Sequence, residues 1–577
     1  MTRLRALLAG LAHRPGLALV ALAATMAIAP ASAEDGPPPG VSPGAVEAAG
    51  AAITAETLEA PIVFLADDLL EGRGPASRGD RLTQLYLSST MQLLGLEPGG
   101  PAGSWYQPFA VVGVNTAMPA TWTFGKDGET VALDRSTEFM ASSGVQEAKA
   151  ELRDAELVFV GYGIEAPEYE WDDFAGADLS GKVLVMLNND PDWDPELFAG
   201  ETRLYYGRWT YKYESAARQG AAGAIVIHTT PSAGYPWQVV QTSWSGEQFE
   251  LPAGDEPRLQ VAAWATESAA KELFSLAGQS YDDLVAAARS RDFSPVPLGV
   301  TTSLALDVGI SRVETANVAG LLRGSDPDLA DEIVVFTAHH DHLGISDDEE
   351  AADRIYNGAL DNASGVAQVL AIARAFSELP EPPARSLLFL FVGAEEQGLL
   401  GSKYYAAHPT FQPGRIAANL NFDGGNIWGR TRDLTLIGMG KSDLDEVARS
   451  LVEWQGRRLE PDQFADRGYY YRSDQFSFAK IGVPALYFDA GTDYVDRPEG
   501  WGKERVDEWT AEHYHQPSDE LADDWDYSGM VEDARLGFYA GYVIANQETM
   551  PGWVPGDEFE AARQAALAEV ADEEGER

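Results

Sequence analysis

The sequence contains no cysteine in 577 residues. Disulfide bonds, thiolate nucleophiles and cysteine-based metal sites are therefore excluded, and any bound metal ion must be held by histidine and carboxylate side chains. Positive charge is also scarce, since 41 lysine and arginine residues stand against 90 aspartate and glutamate residues, for a formal net charge of −49. Such a surface repels phosphate groups, which argues against nucleic acid and anionic lipid as partners.

Long apolar runs are absent after the N-terminal segment. That segment carries three arginines, an apolar stretch from Gly16 to Ala29 and small residues at 31–33, a layout typical of a signal peptide cleaved after Ala33. The stretch is shorter than the roughly 20 residues that span a bilayer, so a membrane anchor is the less favoured alternative. We therefore expect a periplasmic or secreted protein with no transmembrane segment after cleavage.

Changes in the periodicity of apolar residues along the chain predict several domains and segments. A chain of this length is expected to form two or more folded units. Helical periodicity comes first, short strands and turns fill the middle, and strands alternate with helices after Asn317, which predicts an α/β sheet flanked by helices. The predicted parts are a signal peptide at 1–33, a linker at 34–44, the first part of the main domain at 45–150, an inserted β-rich domain at 151–290, the main part of the main domain at 291–550 and an acidic C-terminal tail at 551–577.

Histidine and acidic residues follow three of the predicted strands directly. His339 comes after IVVFTA, Glu395 and Glu396 come after LLFLFVGA, and Asp423 comes after AANLNF. In an open α/β sheet, ligands bind at the carboxyl ends of the strands. Asp361 lies at the start of the helix between the first two strands and should face the same crevice. A helix-capping role is the alternative for any single carboxylate.

Carboxylates crowded at one rim repel each other unless they are protonated or neutralised by cations. Five of the eight histidines fall within the two short runs 339–342 and 513–515, and such clustering favours metal binding. Imidazole mixed with carboxylate favours zinc over magnesium, and manganese or cobalt fit the same ligands. The sequence therefore predicts a site for divalent cations at this rim.

Five segments in register carry a resemblance to a known family. They are TAHHDHLG, NGALDNASG, VGAEEQGLLGS, NLNFDGG and YHQPSDE. They resemble the metal-site motifs of the di-zinc aminopeptidases, the family that includes bacterial leucyl aminopeptidase, glutamate carboxypeptidase and the transferrin receptor. The likeness extends from about Ala45 to Asn546, and the segment at 151–290 resembles the protease-associated domain often inserted in these enzymes. The resemblance implies a zinc exopeptidase fold, a mixed twisted sheet flanked by helices, and makes the main domain a peptidase domain.

The resemblance also implies two zinc ions per chain, replaceable by manganese or cobalt. Asp361 would bridge the two ions. His339 and Asp423 would bind one ion, and Glu396 and His515 would bind the other.

Two further residues gain catalytic roles from the resemblance. Glu395 would be the general base, beside the metals but not bound to them, and Asp341 would orient the imidazole ring of His339. The peptide bond between Asp361 and Asn362 is expected to be cis, as is common in the family. No substrate-binding residue and no oligomeric state are assigned.

The favoured hypothesis is an aminopeptidase that acts on peptides with a free N-terminus. A carboxypeptidase or dipeptidase using the same site is the nearest alternative. A glutaminyl cyclase is less favoured because that enzyme uses one zinc ion, whereas this chain keeps all five ligands. A catalytically inactive binding protein would be expected to have lost ligands or the base, and neither loss occurs here.

Overall fold

The computed structural model describes residues 44–195 and 197–576. The predicted signal peptide and nearly all of the predicted linker lie outside these residues. The helices are α1 Ala45–Ala51, α2 Ala55–Leu65, α3 Arg78–Leu93, α4 Trp209–Arg218, α5 Thr230–Ala233, α6 Trp237–Ser243, α7 Glu267–Leu276, α8 Tyr281–Ala287, α9 Gly365–Ser377, α10 Leu400–Ala407, α11 Leu444–Trp454, α12 Gln475–Lys480, α13 Trp501–Glu512, α14 Ser528–Asn546 and α15 Glu560–Glu576.

The strands form one large mixed sheet and two short hairpins. They are β1 Glu97–Pro98, β2 Tyr106–Ala117, β3 Thr121–Lys126, β4 Glu129–Asp134, β5 Phe139–Ser143, β6 Lys149–Phe159, β7 Glu165–Ala166, β8 Trp171–Asp172, β9 Val183–Leu187, β10 Gly223–His228, β11 Glu247–Glu250, β12 Val261–Thr266, β13 Val296–Leu322, β14 Ile333–His339, β15 Gly344–Ile345, β16 Ile355–Tyr356, β17 Ser386–Val392, β18 Ile416–Asn421, β19 Asp433–Ile437, β20 Arg458–Pro461 and β21 Ala485–Ala490. This mixed sheet flanked by helices confirms the predicted fold class.

The part of the sheet that positions the site runs in the order β17, β14, β18 and β21, all parallel. Every residue of β14, β17 and β18 is buried, as expected for parallel strands covered on both faces, which explains their continuous apolar sequences. The helix α9 returns from β14 to β17 and packs on one face, beside α2 and α14. On the other face, Tyr405 of α10 and Phe478 of α12 pack against Leu388 and Leu390.

Residues 151–290, called the middle region below, contain a second parallel group of strands. β6, β9, β10 and β12 pair in that order, and the apolar residues around them form two hydrophobic clusters separate from the core around α9. The long strand β13 pairs with β6 through its first half and with β17 through its last residues. One strand therefore belongs to both parts of the sheet, and the domain boundaries at 151 and 290 stay a prediction.

The C-terminal segment packs against the rest of the protein. Trp553, Phe559 and Ala566 are buried, and the buried guanidinium of Arg563 donates hydrogen bonds to the carbonyl oxygens of Pro551 and Ile416. This segment was predicted as an acidic C-terminal tail, and in the structure its few apolar residues and Arg563 find partners in the rest of the protein.

Within the described residues, no single helix is long and apolar enough to cross a membrane. The bent pair formed by α1 and α2 passes the same length and composition test.

Candidate metal centre

The predicted site residues meet at the carboxyl ends of the parallel strands. In the register of the sheet, His339 at the end of β14 lies beside Val392 at the end of β17, and Thr337 lies beside Asn421 at the end of β18. The side chains that follow these strand ends therefore reach the same rim, as the sequence analysis predicts for Glu395, Glu396 and Asp423.

One group of donors surrounds His339, which is almost completely buried. Its Nε2 atom lies 3.2 Å from an Oδ1 oxygen of Asp361 and 3.2 Å from an Oδ1 oxygen of Asp423. An Oε2 oxygen of Glu395 lies 4.0 Å away. This group contains the histidine and the two carboxylates that the resemblance assigns to one cation.

A second group surrounds His515. Its Nε2 atom lies 3.0 Å from Glu396 Oε2 and 3.4 Å from Asp361 Oδ2. Asp361 therefore turns one oxygen toward each histidine. The five predicted metal-binding residues and Glu395 lie in one cluster.

His342 also reaches this cluster. Its Nδ1 atom lies 2.6 Å from Glu396 Oε1, and His342, Asp361 and Glu396 form a group that could hold a metal ion. The sequence analysis assigns no role to His342, although its position in the run HHDH was a signal. Glu396 is thus contacted by two imidazole rings.

Two buried acids fix the backbone of the site. Asp341 accepts hydrogen bonds from the N–H groups of Glu395, at 3.0 Å, and Glu396, at 3.3 Å. Its Oδ1 atom lies 3.8 Å from His339 Nδ1. Asp519, which has no assigned role in the sequence analysis although it lies in the motif YHQPSDE, accepts from the N–H of Asp361 at 3.0 Å. Asp519 is buried, and its carboxylate holds the backbone of Asp361 in place.

The backbone around the bridging aspartate has the predicted geometry. The peptide bond between Asp361 and Asn362 is cis. The side chain of Asn362 donates to the carbonyl of Phe422 and accepts from the N–H groups of Gly365 and Gly424, each at 2.9 Å. These bonds tie the start of α9 to the loop that carries Asp423.

Neighbouring carboxylates make the centre strongly favourable for positive charge. Burial lowers the pKa of His339, but Asp423 and Glu395 raise it by more, so that it lies well above its ordinary value. Burial also lowers the pKa of His515, and Glu396 outweighs it, raising the pKa to about 10. Protons or metal cations can supply the charge that these carboxylates require.

The donor set fits divalent cations. His515 Nε2 is buried beside oxygens of Glu396 and Asp361, and among the described residues it makes no hydrogen bond of good geometry. A metal ion bound between the ring nitrogen and these oxygens would accept the lone pair of the nitrogen. Imidazole and carboxylate donors in these groups suit zinc, manganese or cobalt.

The middle region contributes directly to the centre. The hydroxyl of Ser243, at the end of α6, lies 2.8 Å from His515 Nδ1. The ring of Tyr514 stacks on the His515 ring with centroids 3.9 Å apart. No sequence pattern indicated Ser243, because it is 272 residues away from His515 in the chain.

Comparisons with known proteins agree with this geometry. Residues 317–538 match the sequence profile of peptidase family M28. Leupeptin-inactivating enzyme 1 of Streptomyces exfoliatus is 28% identical over 207 residues, which are 35% of this chain and 44% of that protein. Aminopeptidase YwaD of Bacillus subtilis is 27% identical over 196 residues, 33% of this chain and 36% of that protein. The matches span less than half the length of these two relatives.

Among solved structures, the aminopeptidase from Aneurinibacillus sp. strain AM-1 is similar in fold. It superimposes with a TM-score of 0.52 and 20% identity over 88% of this chain and 97% of that chain. Together with the five motifs, the profile match over residues 317–538 confirms the predicted resemblance to the zinc aminopeptidases of peptidase family M28.

Proposed function

We propose that this protein is an exported, zinc-dependent aminopeptidase that releases N-terminal residues from peptides. The observation that carries the proposal is the position of Asp361, which turns one carboxylate oxygen toward His339 and the other toward His515. A carboxylate shared in this way suits a pair of cations. His339 and Asp423 would complete one site, and Glu396 and His515 would complete the other.

When bound, two divalent cations supply Lewis acidity toward a carbonyl oxygen and lower the pKa of water. Glu395 lies farther from His339 Nε2 than the Asp361 and Asp423 oxygens do, which leaves it a free basic oxygen. In the proposed reaction Glu395 accepts a proton from the attacking water and returns it to the amine that leaves. Asp341 holds the backbone of Glu395 in place for both transfers.

A cavity beside the centre supports the preference for a free amine. Its lining includes five carboxylates, Asp489 among them, and one cationic side chain, Arg472, together with the aromatic rings of Trp428, Phe464 and Tyr469. A peptide ammonium group is attracted to such a field, and a terminal carboxylate is repelled. This cavity, called the amine cavity below, therefore favours an aminopeptidase over a carboxypeptidase.

Hydrolysis of aminoacyl-nitroanilides tests this proposal, with the N-acetylated forms as matched controls. We expect turnover of the free amines only, loss of turnover after chelation, and recovery with two equivalents of zinc per chain. Cleavage of N-blocked peptides from their carboxyl ends would contradict the assignment. Full activity with a single equivalent of zinc per chain would contradict the two-metal site.

Two further parts of the proposal concern the whole chain. Residues 151–290 are proposed to be a protease-associated domain, which is supported by their separate parallel strands and hydrophobic clusters. Export is supported by the pattern of the first 33 residues. N-terminal sequencing of the protein made in a bacterial host tests the proposed export, because cleavage after Ala33 leaves Glu34 as the first residue.

A further inference from the structure

A second cavity meets the amine cavity at the candidate metal centre. Both are lined by Glu395, Glu396, Arg472 and His515, so a peptide whose scissile bond lies at Glu395 can extend into both. Three further basic side chains, Arg208, Lys403 and Lys480, line the second cavity and not the first. Together with Arg472 they give the second cavity four cationic side chains, and we call it the cationic cavity.

The four cations lack carboxylate partners. Acidic residues outnumber basic ones 90 to 41 in this chain, so a basic side chain has many candidates for an ion pair. Across residues 44–195 and 197–576, nevertheless, none of the four forms an ion pair, whereas many other basic side chains do, such as Lys182 with Glu156. Unpaired cations that converge on one cavity are typical of a site for an anionic ligand.

Arg208 is the most buried of the four cationic side chains. It is 8% exposed, and its Nε atom has no hydrogen-bond partner among the described residues. Burial and then the neighbouring Arg472 lower its pKa to about 9. A buried guanidinium without a partner carries a desolvation cost that a bound anion can offset.

Arg208 also occupies the N-cap position of α4, a helix of ten residues, and its side chain makes no capping hydrogen bond. The first N–H groups of a helix have no partner within the helix and favour a negative charge. Trp209 and Thr210, the first residues of α4, line the cationic cavity. The helix start and Arg208 therefore point to the same ligand position.

Aromatic rings hold the other deep cation in place. The guanidinium of Arg472 lies over the rings of Tyr469, at 5.1 Å, and Tyr235, at 5.5 Å, and it donates to the hydroxyl of Tyr514 at 2.9 Å. These contacts fix the group but leave it without an opposite charge.

The two lysines lie nearer the opening. Lys480 is exposed, with its ammonium 4.4 Å from the ring centre of Phe476, and Lys403 is partly buried. Burial lowers the pKa of Lys403, Lys480 lowers it further, and Glu214 opposes them. Glu214 forms no ion pair with either lysine and instead accepts a hydrogen bond from the Tyr205 hydroxyl at 2.8 Å.

We propose that the cationic cavity binds the terminal carboxylate of a short peptide, so that the preferred substrates are dipeptides and tripeptides with free carboxyl ends. This inference rests on the proposed function. The amine cavity takes the N-terminal residue, and the cationic cavity takes the leaving residues with their negative charge. Each end of the peptide thus meets the opposite charge.

Three substrates test the inference on the wild-type protein: Leu-Ala with a free carboxylate, Leu-Ala amide, and Leu-Glu amide. We expect kcat/KM to fall at least tenfold from the free dipeptide to its amide, mainly through KM, and Leu-Glu amide to be as poor as Leu-Ala amide. If Leu-Glu amide matches the free dipeptide, a side-chain carboxylate is the ligand and the terminal assignment is wrong. Equal rates for all three substrates contradict the cavity assignment but keep the proposed function, whereas no cleavage of any substrate contradicts both.

Two variants test whether the basic side chains of the cationic cavity cause the preference for a free carboxylate. Arg208→Gln and Lys480→Gln should each bring the ratio of kcat/KM between free dipeptide and amide toward one. Because Lys480 is exposed, its variant should fold even if the buried change at Arg208 does not. The matched control is Lys271→Gln on α7, which removes the same charge from an exposed pair with Glu267 and should keep the wild-type ratio. An unchanged ratio in Lys480→Gln and in a folded Arg208→Gln would overturn the inference.

Discussion

Replacing Ser243 by alanine should weaken one of the two proposed zinc sites without disturbing the other. If zinc occupies Nε2 of His515, the proton lies on Nδ1 and is donated to the Ser243 hydroxyl 2.8 Å away. Among the described residues, that hydroxyl is the hydrogen-bond partner of Nδ1. The variant therefore leaves Nδ1 without its partner and removes one of the contacts that orient the ring.

The size of the effect follows from these contacts. One hydrogen bond is worth roughly 0.5–1.5 kcal/mol, which corresponds to about a 2- to 12-fold change in affinity. Loss of the partner that orients a metal-bound histidine costs about 10- to 100-fold. Because the ring of Tyr514 still stacks on His515, we expect a loss near the overlap of these ranges, about tenfold.

Zinc titration of the metal-free protein, in competition with a chelating dye, measures this directly. We expect one dissociation constant to rise about tenfold and the other to stay unchanged. Ser243→Thr, which keeps the hydroxyl, should restore the affinity. Ser245→Ala is the matched control, because that exposed hydroxyl bonds only to the carbonyl of Gln241 and should have no effect. If both dissociation constants for zinc are unchanged in Ser243→Ala, the proposed role of the hydrogen bond is refuted.

Four other changes have defined outcomes. Glu395→Gln should lower kcat by about 10²- to 10⁴-fold with zinc content unchanged, by metal analysis, and normal turnover would refute its role as base. Chelation should lower the melting temperature by a few degrees in calorimetry, because cations bound only to the folded state stabilise it, and an unchanged value would argue against a resident metal. Burial lowers the pKa of His228 from 6.5 to about 4, so the unfolded chain takes up a proton first as the pH falls. Stability is then complete above pH 6.5 and declines toward pH 4, and urea unfolding at pH 7 and 4.5 should show that His228→Gln loses about 2–3 kcal/mol less than the wild type. Equal losses of unfolding free energy in the variant and the wild type would contradict this role of His228. Gly541→Ala would place a Cβ atom 2.3 Å from the Phe336 ring and should lower the free energy of unfolding by about 1–3 kcal/mol, unless the ring moves without cost.

Local sequence patterns were enough to predict the strands that carry the site. Continuous apolar runs predicted β14, β17 and β18, and the residues directly after them predicted where His339, Glu395 and Asp423 would meet. Their meeting could be inferred without the strand order, because parallel strands bring their carboxyl ends to one edge. Asp361 was placed at the same crevice by its position at the start of the helix after β14, whereas His515 came from the motif resemblance.

Other features of the site could not be read from the sequence. The contact between Ser243 and His515 and the gathering of Arg208 with Arg472 join residues far apart in the chain, and no short pattern marks either. The role of Asp519 was hidden for a related reason, because a carboxylate that accepts backbone N–H groups looks the same in sequence as one that binds a metal. The length of β13 was missed because its first half alternates between buried and exposed residues, whereas residues 315–321 near its end are continuously buried.

The strand β13 has a consequence for how this protein can be dissected. Because the same 27 residues pair with the middle region and with the strands under the metal centre, the two parts share a rigid hydrogen-bonded backbone rather than a linker. A fragment cut to residues 317–538 would lose most of β13. It would also lose the Ser243 hydroxyl beside His515 and the Arg208 side chain that lines the cationic cavity. The smallest fragment that keeps the proposed activity should therefore be much larger than the segment that the motifs define.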